Sequence, residues 1–448
     1  CRITLKLFVI TLCLYACYHR LNESQVQRTI SYMLQAIEIK NFKSIEDLQL
    51  KFGRVNLFIG ENGSGKSTIL EALTFAAASE ADKLDAEFLE NRGIRVTTPK
   101  LMRSNFSQEH LEDPISIKIC IDSDGSGRKY LINNDNDTYS EWKLQTDTTV
   151  TSDEVTVSTQ EFNQTFERYK KIMEFVSSNA FESLKGRFSD DHELSKVLAN
   201  LEDQGLENKF SNLSESLKDV ESSVSEELSS LKNFVIYSPQ NKQLRNLKEE
   251  GAIRPVGIHG EGLFKLLREI HEKQPDAMQD IEKGLALISW YKSMDLDNEP
   301  ELIEDELFIQ DKYLPVQLTQ RSANEGFLYV LFYMAIIVSK NTPRIFAIDN
   351  IDAALNPKLC AKIMSYLVEL AIKYDKQLFL TTQNPATLDG INVFEDDQKL
   401  FVVSRKKKGQ TTARQFTSDN MPKTENGELI LLSEAMIKGF IGAIPRGF

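Results

Sequence analysis

The chain has 448 residues, 41% of them hydrophobic, and a formal charge of −13 from 66 acidic against 53 basic side chains. That length suits one large domain or two intimate ones with a substantial core. So acidic an average field does not attract duplex nucleic acid, so contact with nucleic acid is expected only through a local patch or a partner.

Residues 1–32 differ from the rest: Arg2 to Cys17 is an apolar run behind a basic start, and Cys1, Cys13 and Cys17 are three of the five cysteines. The run is shorter than the roughly 20 residues that span a bilayer. It reads first as a non-native segment or an extension translated upstream of the native start, expected at Met33, then as a signal or anchor, and last as a structural extension; no membrane partner is expected. Cys120 and Cys360 are too isolated for a disulfide framework or a zinc site, which fits a reducing, cytoplasmic setting.

From Met33 the alternation predicts strands over Ala36–Phe42, Leu48–Phe52 and Val55–Ile59, with a turn at Lys43–Ser44. The third strand runs into Gly60-Glu61-Asn62-Gly63-Ser64-Gly65-Lys66-Ser67-Thr68 and then the helix-forming Ile69-Leu70-Glu71-Ala72-Leu73. Gly60, Gly65, Lys66 and Ser67 have the spacing of a phosphate-binding loop. Glycines let successive N–H groups converge on a phosphate, and the helix that follows aims its positive end at the same anion. Asn62 to Thr68 are therefore candidate ATP-binding residues, with Lys66 reaching the β and γ phosphates and Ser67 ligating Mg²⁺.

Further along, Ile115–Ile121 and Arg128–Ile132 flank a turn-rich Asp122–Gly127 and predict antiparallel strands. Between residues 160 and 232 helix formers dominate, and Leu213, Leu217, Val220, Val224, Leu228 and Leu231 recur at helical spacing, which predicts a helical insert. Phe234–Tyr237 reads as a buried strand followed by Gln240, and Gly257, Gly260 and Gly262 as a tight turn opening a helix. Ser322-Ala323-Asn324-Glu325-Gly326 opens the apolar helix from Phe327, and Arg344–Asp349 is an apolar strand ending in a carboxylate that can sit beside the Mg²⁺ held by Ser67. Asn356-Pro357 starts a helix, and Leu378–Thr382 is a strand ending at Gln383. Arg405-Lys406-Lys407-Lys408 reads as a solvated hairpin tip.

In this order the motifs resemble the ABC-type ATPases of the SMC/RecF/OLD branch, and among them the compact PtuA-like and AriA-like ATPases of prokaryotic antiviral defence. The resemblance implies an α/β fold: a P-loop ABC-ATPase head with a mixed β-sheet, an antiparallel β subdomain and a helical insert. Its parts would be a head N-terminal portion over 33–159, the insert over 160–232, and a head C-terminal portion over 233–448. Gly60–Thr68 is similar to Walker A, Ile345–Asp349 to Walker B, Asp352–Pro357 to the D-loop and Thr381–Gln383 to the switch segment. Ser322–Gly326 is similar to the signature motif, so Ser322, Glu325 and Gly326 would face ATP held by a second copy, and the active unit would be at least a homodimer. Lys43 matches a basic residue near the nucleotide, and Gln240 or Gln108 would link Mg²⁺ to the insert.

Two residues depart from that pattern. Asn350 follows Asp349 where the family has Glu, and Gln383 stands where it has His. Both can orient a water but neither accepts its proton. The catalytic set Lys66, Asp349, Asn350 and Gln383 therefore predicts a slow ATPase, with Asp352 as a candidate substitute carboxylate. The expected role is an ATP-operated subunit controlling a separate effector, a nuclease. The alternatives are a RecF-like repair ATPase that binds DNA directly and a nucleotide-locked scaffold.

Overall fold

The computed structural model describes residues 33–106, 112–122, 125–137, 140–150, 156–158, 224–226, 228–246, 251–296 and 307–442. The 1–32 extension, Gln108 and nearly all of the 160–232 insert lie outside the described residues. The described residues fall into two compact units, one within Met33–Cys120, Tyr130–Gln145 and Ser229–Phe448 and the other within Ile121–Lys129 and Thr146–Leu228.

The larger unit begins with β1 (Ala36–Phe42) and β2 (Ile45–Lys51), paired antiparallel with Ile37 opposite Leu50. Every second side chain of β1 is buried because one face packs inward, the period-2 pattern of a half-covered sheet. By contrast β3 (Val55–Ile59) is buried at all five positions, as a central strand covered on both faces must be. Next come α1 (Lys66–Glu80), α2 (Ala86–Asn91) and α3 (Pro99–Met102). Nearly all of α1 is buried, so its sequence carries apolar residues all round rather than on one stripe.

β4 (Ile115–Cys120) pairs antiparallel with β1 on the side away from β2. The strands β5 (Gly127–Asn133), β6 (Lys143–Val150) and β7 (Thr156–Ser158) follow, β6 and β7 pairing antiparallel with Thr148 opposite Ser158. After β8 (Ile236–Tyr237) come α4 (Asn241–Arg245), α5 (Leu263–Lys273), α6 (Pro275–Leu285) and an antiparallel sheet of β9 (Tyr291–Asp295), β10 (Phe308–Asp311) and β11 (Gln317–Thr319). Gly262, at φ +81°, opens α5, the left-handed turn for which glycine is suited.

The remaining elements are α7 (Glu325–Val338), β12 (Ile345–Ile348), α8 (Pro357–Lys373), β13 (Gln377–Thr382), β14 (Gln398–Arg405), β15 (Thr411–Phe416) and α9 (Leu432–Ile437). They complete a six-stranded sheet in the order β15-β14-β3-β13-β12-β8, parallel except for β14 with β15. Helix α7, apolar at every turn, is buried from Gly326 to Val338 in the core beneath this sheet. Its cap is Asn324, within the Ser322–Gly326 segment expected to open the helix, and the Asn324 side chain accepts from the Gly326 N–H at 2.9 Å. Asn356 caps α8 in the same way at 3.0 Å, with Pro357 supplying the preset first turn.

Lys376, just before β13, has 4% of its surface exposed, its ammonium donating to Ser339 O, Thr342 O, Thr342 Oγ1 and Pro343 O in the connection between α7 and β12. Burial, helped by nearby Arg344, pulls its pKa down to about 7. No helix among the described residues is long and apolar enough to cross a membrane.

Candidate nucleotide site

The sheet order brings the ends of three parallel strands, β3, β13 and β12, side by side. From β3 the chain enters the phosphate loop, where two glycines are required by space. A Cβ on Gly60 would lie 2.2 Å from Val403 O, and one on Gly65, at φ +108°, would lie 2.1 Å from Thr411 Oγ1. Gly65 is the cap of α1, so the first N–H groups of that helix have no intrahelical acceptor and are available to a bound anion. Lys66 curls back over the loop, its Nζ donating to Gly60 O at 2.7 Å and Glu61 O at 3.0 Å. Burial holds its ammonium below the ordinary lysine value, while Asp349, Asp352 and Glu61 pull the other way.

At the end of β12 the Asp349 carboxylate accepts from Ser67 Oγ at 3.0 and 3.2 Å and from Thr381 Oγ1 at 2.5 Å. Thr381 Oγ1 in turn accepts from the Asn350 N–H at 2.8 Å, so the last residues of β12 and β13 fix each other. Asn350 itself takes φ +57°, a left-handed conformation that Asn tolerates better than most residues. A hydroxyl and a carboxylate converging from opposite sides fit Mg²⁺, which takes oxygen ligands and completes its shell with water and phosphate. Ser67 and Asp349 would hold it.

A cavity of about 640 Å³ opens over these groups, and its wall includes Asn62, Gly63, Gly65, Lys66, Ser67 and Thr68 together with Asp349, Asn350 and Gln383. Ser64 is fully buried behind the loop. Lys43 lines a neighbouring cavity of about 410 Å³ that shares Thr68, Arg95 and Arg405 with the first. Its Nζ is held by Glu71 at 2.8 Å and Arg95 O at 2.9 Å. Gln240 does not reach the cavity; its side-chain amide lies 3.1 Å from His259 Nδ1. Ser322 and Glu325 are exposed and Gly326 is buried, and none of the three lines the cavity of its own chain. Gly326 packs so closely on the D-loop that a Cβ would lie 2.8 Å from Ala354 O.

Several residues of the wall carry no motif. Glu71 is 1% exposed and binds Lys43 Nζ, Arg95 N–H and Arg95 Nε. Its position one helical turn after Ser67 is the signal that marks it. His259 comes from the glycine-rich turn before α5. Arg405, read from sequence as part of a solvated tip, donates from Nε to Gly63 O at 2.7 Å and lines both cavities. Only the fold brings these two to the phosphate loop.

Residues 55–389 match the family described as "AAA domain, putative AbiEii toxin, Type IV TA system". The chain is 35% identical over 88 residues to the DNA replication and repair protein RecF of Lactococcus lactis subsp. cremoris (strain MG1363), covering 19% of this chain and 24% of RecF. It is 44% identical over 41 residues to the OLD nuclease of Thermus scotoductus (strain ATCC 700910 / SA-01), covering 9% and 8%. The matches thus span a quarter or less of these relatives' own length. Among solved structures it is similar to the Smc head domain with an extended coiled coil bound to the C-terminal domain of ScpA from Pyrococcus furiosus. That match has 12% identity and a TM-score of 0.43, over 86% of this chain and 96% of that one.

Proposed function

The chain belongs to this AAA-domain family and to the SMC/RecF/OLD branch of ABC-type ATPases, and from that premise we propose that it clamps ATP and Mg²⁺ between two copies, hydrolyses slowly, and passes its nucleotide state to a separate effector in antiviral defence. The observation that carries the ATP reading is the Ser67–Asp349 contact at the mouth of a loop whose Lys66 is aimed along it. Bound there, Mg²⁺ would offset charge developing on the phosphates. Lys66 and the N–H groups opening α1 bind and orient the phosphates, and Asp349 is held ready by Thr381.

Slow turnover rests on Asn350 and Gln383, which orient water by hydrogen bonding without removing its proton. Phosphoryl transfer depends mainly on positioning and charge stabilisation, so hydrolysis continues at a reduced rate. The dimer rests on exposed Ser322 and Glu325 at the head of α7, and the effector, expected to be a nuclease, on the resemblance of the motifs. The test is ATP binding and phosphate release by the wild type and by Lys66→Ala: both are expected to fall in the variant, and equal values would sink the reading.

A second reading, direct nucleic-acid binding as in RecF, draws on the exposed Arg405–Lys408 tip. Salt-dependent DNA binding that disappears when Lys406, Lys407 and Lys408 become alanine would favour it.

A further inference from the structure

The hairpin of β14 and β15 meets the phosphate loop at two of its carbonyls, Gly63 O and Ser64 O. Thr411, 1% exposed, donates from Oγ1 to Ser64 O at 2.9 Å. A hydroxyl has one proton, so the 2.8 Å contact between Thr411 Oγ1 and Ser44 Oγ has Ser44 as donor. The Thr411 N–H also donates to Ser44 O at 2.7 Å. Ser44, Thr411 and Ser64 thus form a relay that joins the β1–β2 turn, the hairpin and the loop across more than 300 residues of sequence. One residue earlier in the loop, Arg405 Nε takes Gly63 O.

We infer that Thr411 is a positioning residue for nucleotide, holding the peptide between Ser64 and Gly65 so that the Gly65 N–H is presented to phosphate. The inference rests on the ATP reading above. In a planar trans peptide the C=O and the next N–H point in opposite directions. Pinning Ser64 O to the hairpin therefore fixes the Gly65 N–H on the other side, and pinning Gly63 O to Arg405 restrains the preceding peptide. The Thr411 side chain also fills the space where a Cβ on Gly65 would stand, so the loop cannot relax backwards. A glycine-rich loop is otherwise free to turn its peptides over. The hairpin removes that freedom before ATP arrives, which lowers the ordering cost of binding.

The experiment measures the ATP Kd and the nucleotide-free melting temperature of the wild type, Thr411→Val, Thr411→Ser, Arg405→Gln and Lys66→Ala. Thr411→Val keeps the shape and removes the hydroxyl, and is expected to raise Kd about tenfold. Thr411→Ser restores the bond and is expected to stay within about twofold of the wild type. Arg405→Gln, an exposed change that serves if the valine variant does not fold, is expected to raise Kd about threefold. A wild-type Kd in Thr411→Val, or in Arg405→Gln if only that variant folds, overturns the inference, as does a serine variant as weak as the valine one. If the wild type binds no ATP, or binds it no better than Lys66→Ala, the ATP reading itself fails and takes the inference with it.

Discussion

Thr381 Oγ1 donates to the carboxylate of Asp349 at 2.5 Å, joining the ends of neighbouring strands β13 and β12 at the point where Ser67 arrives from α1. Asp349 is thereby aimed before any cation binds. Thr381→Val keeps the shape and removes the bond. A hydrogen bond to a charged group contributes about 1.5–3 kcal/mol, so Mg²⁺-dependent ATP turnover should fall between about ten- and a hundredfold. Asp349→Asn keeps the acceptor and removes the charge, and should cost turnover about 10²-fold or more. Titrating Mg²⁺ against turnover in both variants checks the two effects.

Glu71, on the wall of the first cavity, holds Lys43 and Arg95 of the second. It is buried against the half-buried Lys43 ammonium, whose pKa burial lowers and Glu71 pulls back up. Removing one partner of such a pair leaves an uncompensated charge and costs about 3 kcal/mol. Urea denaturation of Glu71→Ala should show that loss, and Glu71→Ala combined with Lys43→Met should recover much of it.

Lys376 makes stability depend on pH. Its pKa is lowered from 10.5 to about 7 on folding, so between those values the unfolded chain binds a proton that the folded chain has released. Stability therefore rises with pH across that window and is lost as pH falls toward 7. The urea midpoint of the wild type, taken relative to Lys376→Met, should increase from pH 7 to pH 9. A flat difference would contradict the assignment.

The head of α7 offers Ser322 and Glu325 to solvent while Gly326 packs inward on Ala354. If these residues complete the site of a second copy, Ser322→Arg should abolish ATP-induced dimerisation measured by light scattering, while Lys66-dependent ATP binding persists. Dimerisation that survives the arginine would place the interface elsewhere.

Much of this architecture is legible in the chain because its motifs are local. Val55–Ile59 leads straight into Gly60–Thr68, so strand, loop and helix declare one another. The apolar run ending at Asp349 and the one ending at Thr382 likewise read as central strands. What the sequence hides is long-range. Thr411 and Arg405 lie on a hairpin whose own pattern says only solvated turn, yet parallel pairing of β14 with β3 carries them to the phosphate loop. Gln240, one of two glutamines that the sequence leaves open, has its side-chain amide 3.1 Å from His259 Nδ1. Capping shows the same limit, since Ser322 and Asn324 are both good caps in sequence and only backbone geometry selects Asn324.

The central claim is a competent ATP grip made slow by Asn350, and phosphate release by Asn350→Glu tests it most directly. The left-handed backbone at this residue disfavours glutamate by about 1 kcal/mol, so the variant should be slightly less stable. A carboxylate that can accept the water's proton should nonetheless raise the rate about 10²-fold, and Lys66→Ala in the same background should abolish the gain. A variant that binds ATP as the wild type does and releases phosphate no faster would contradict the account.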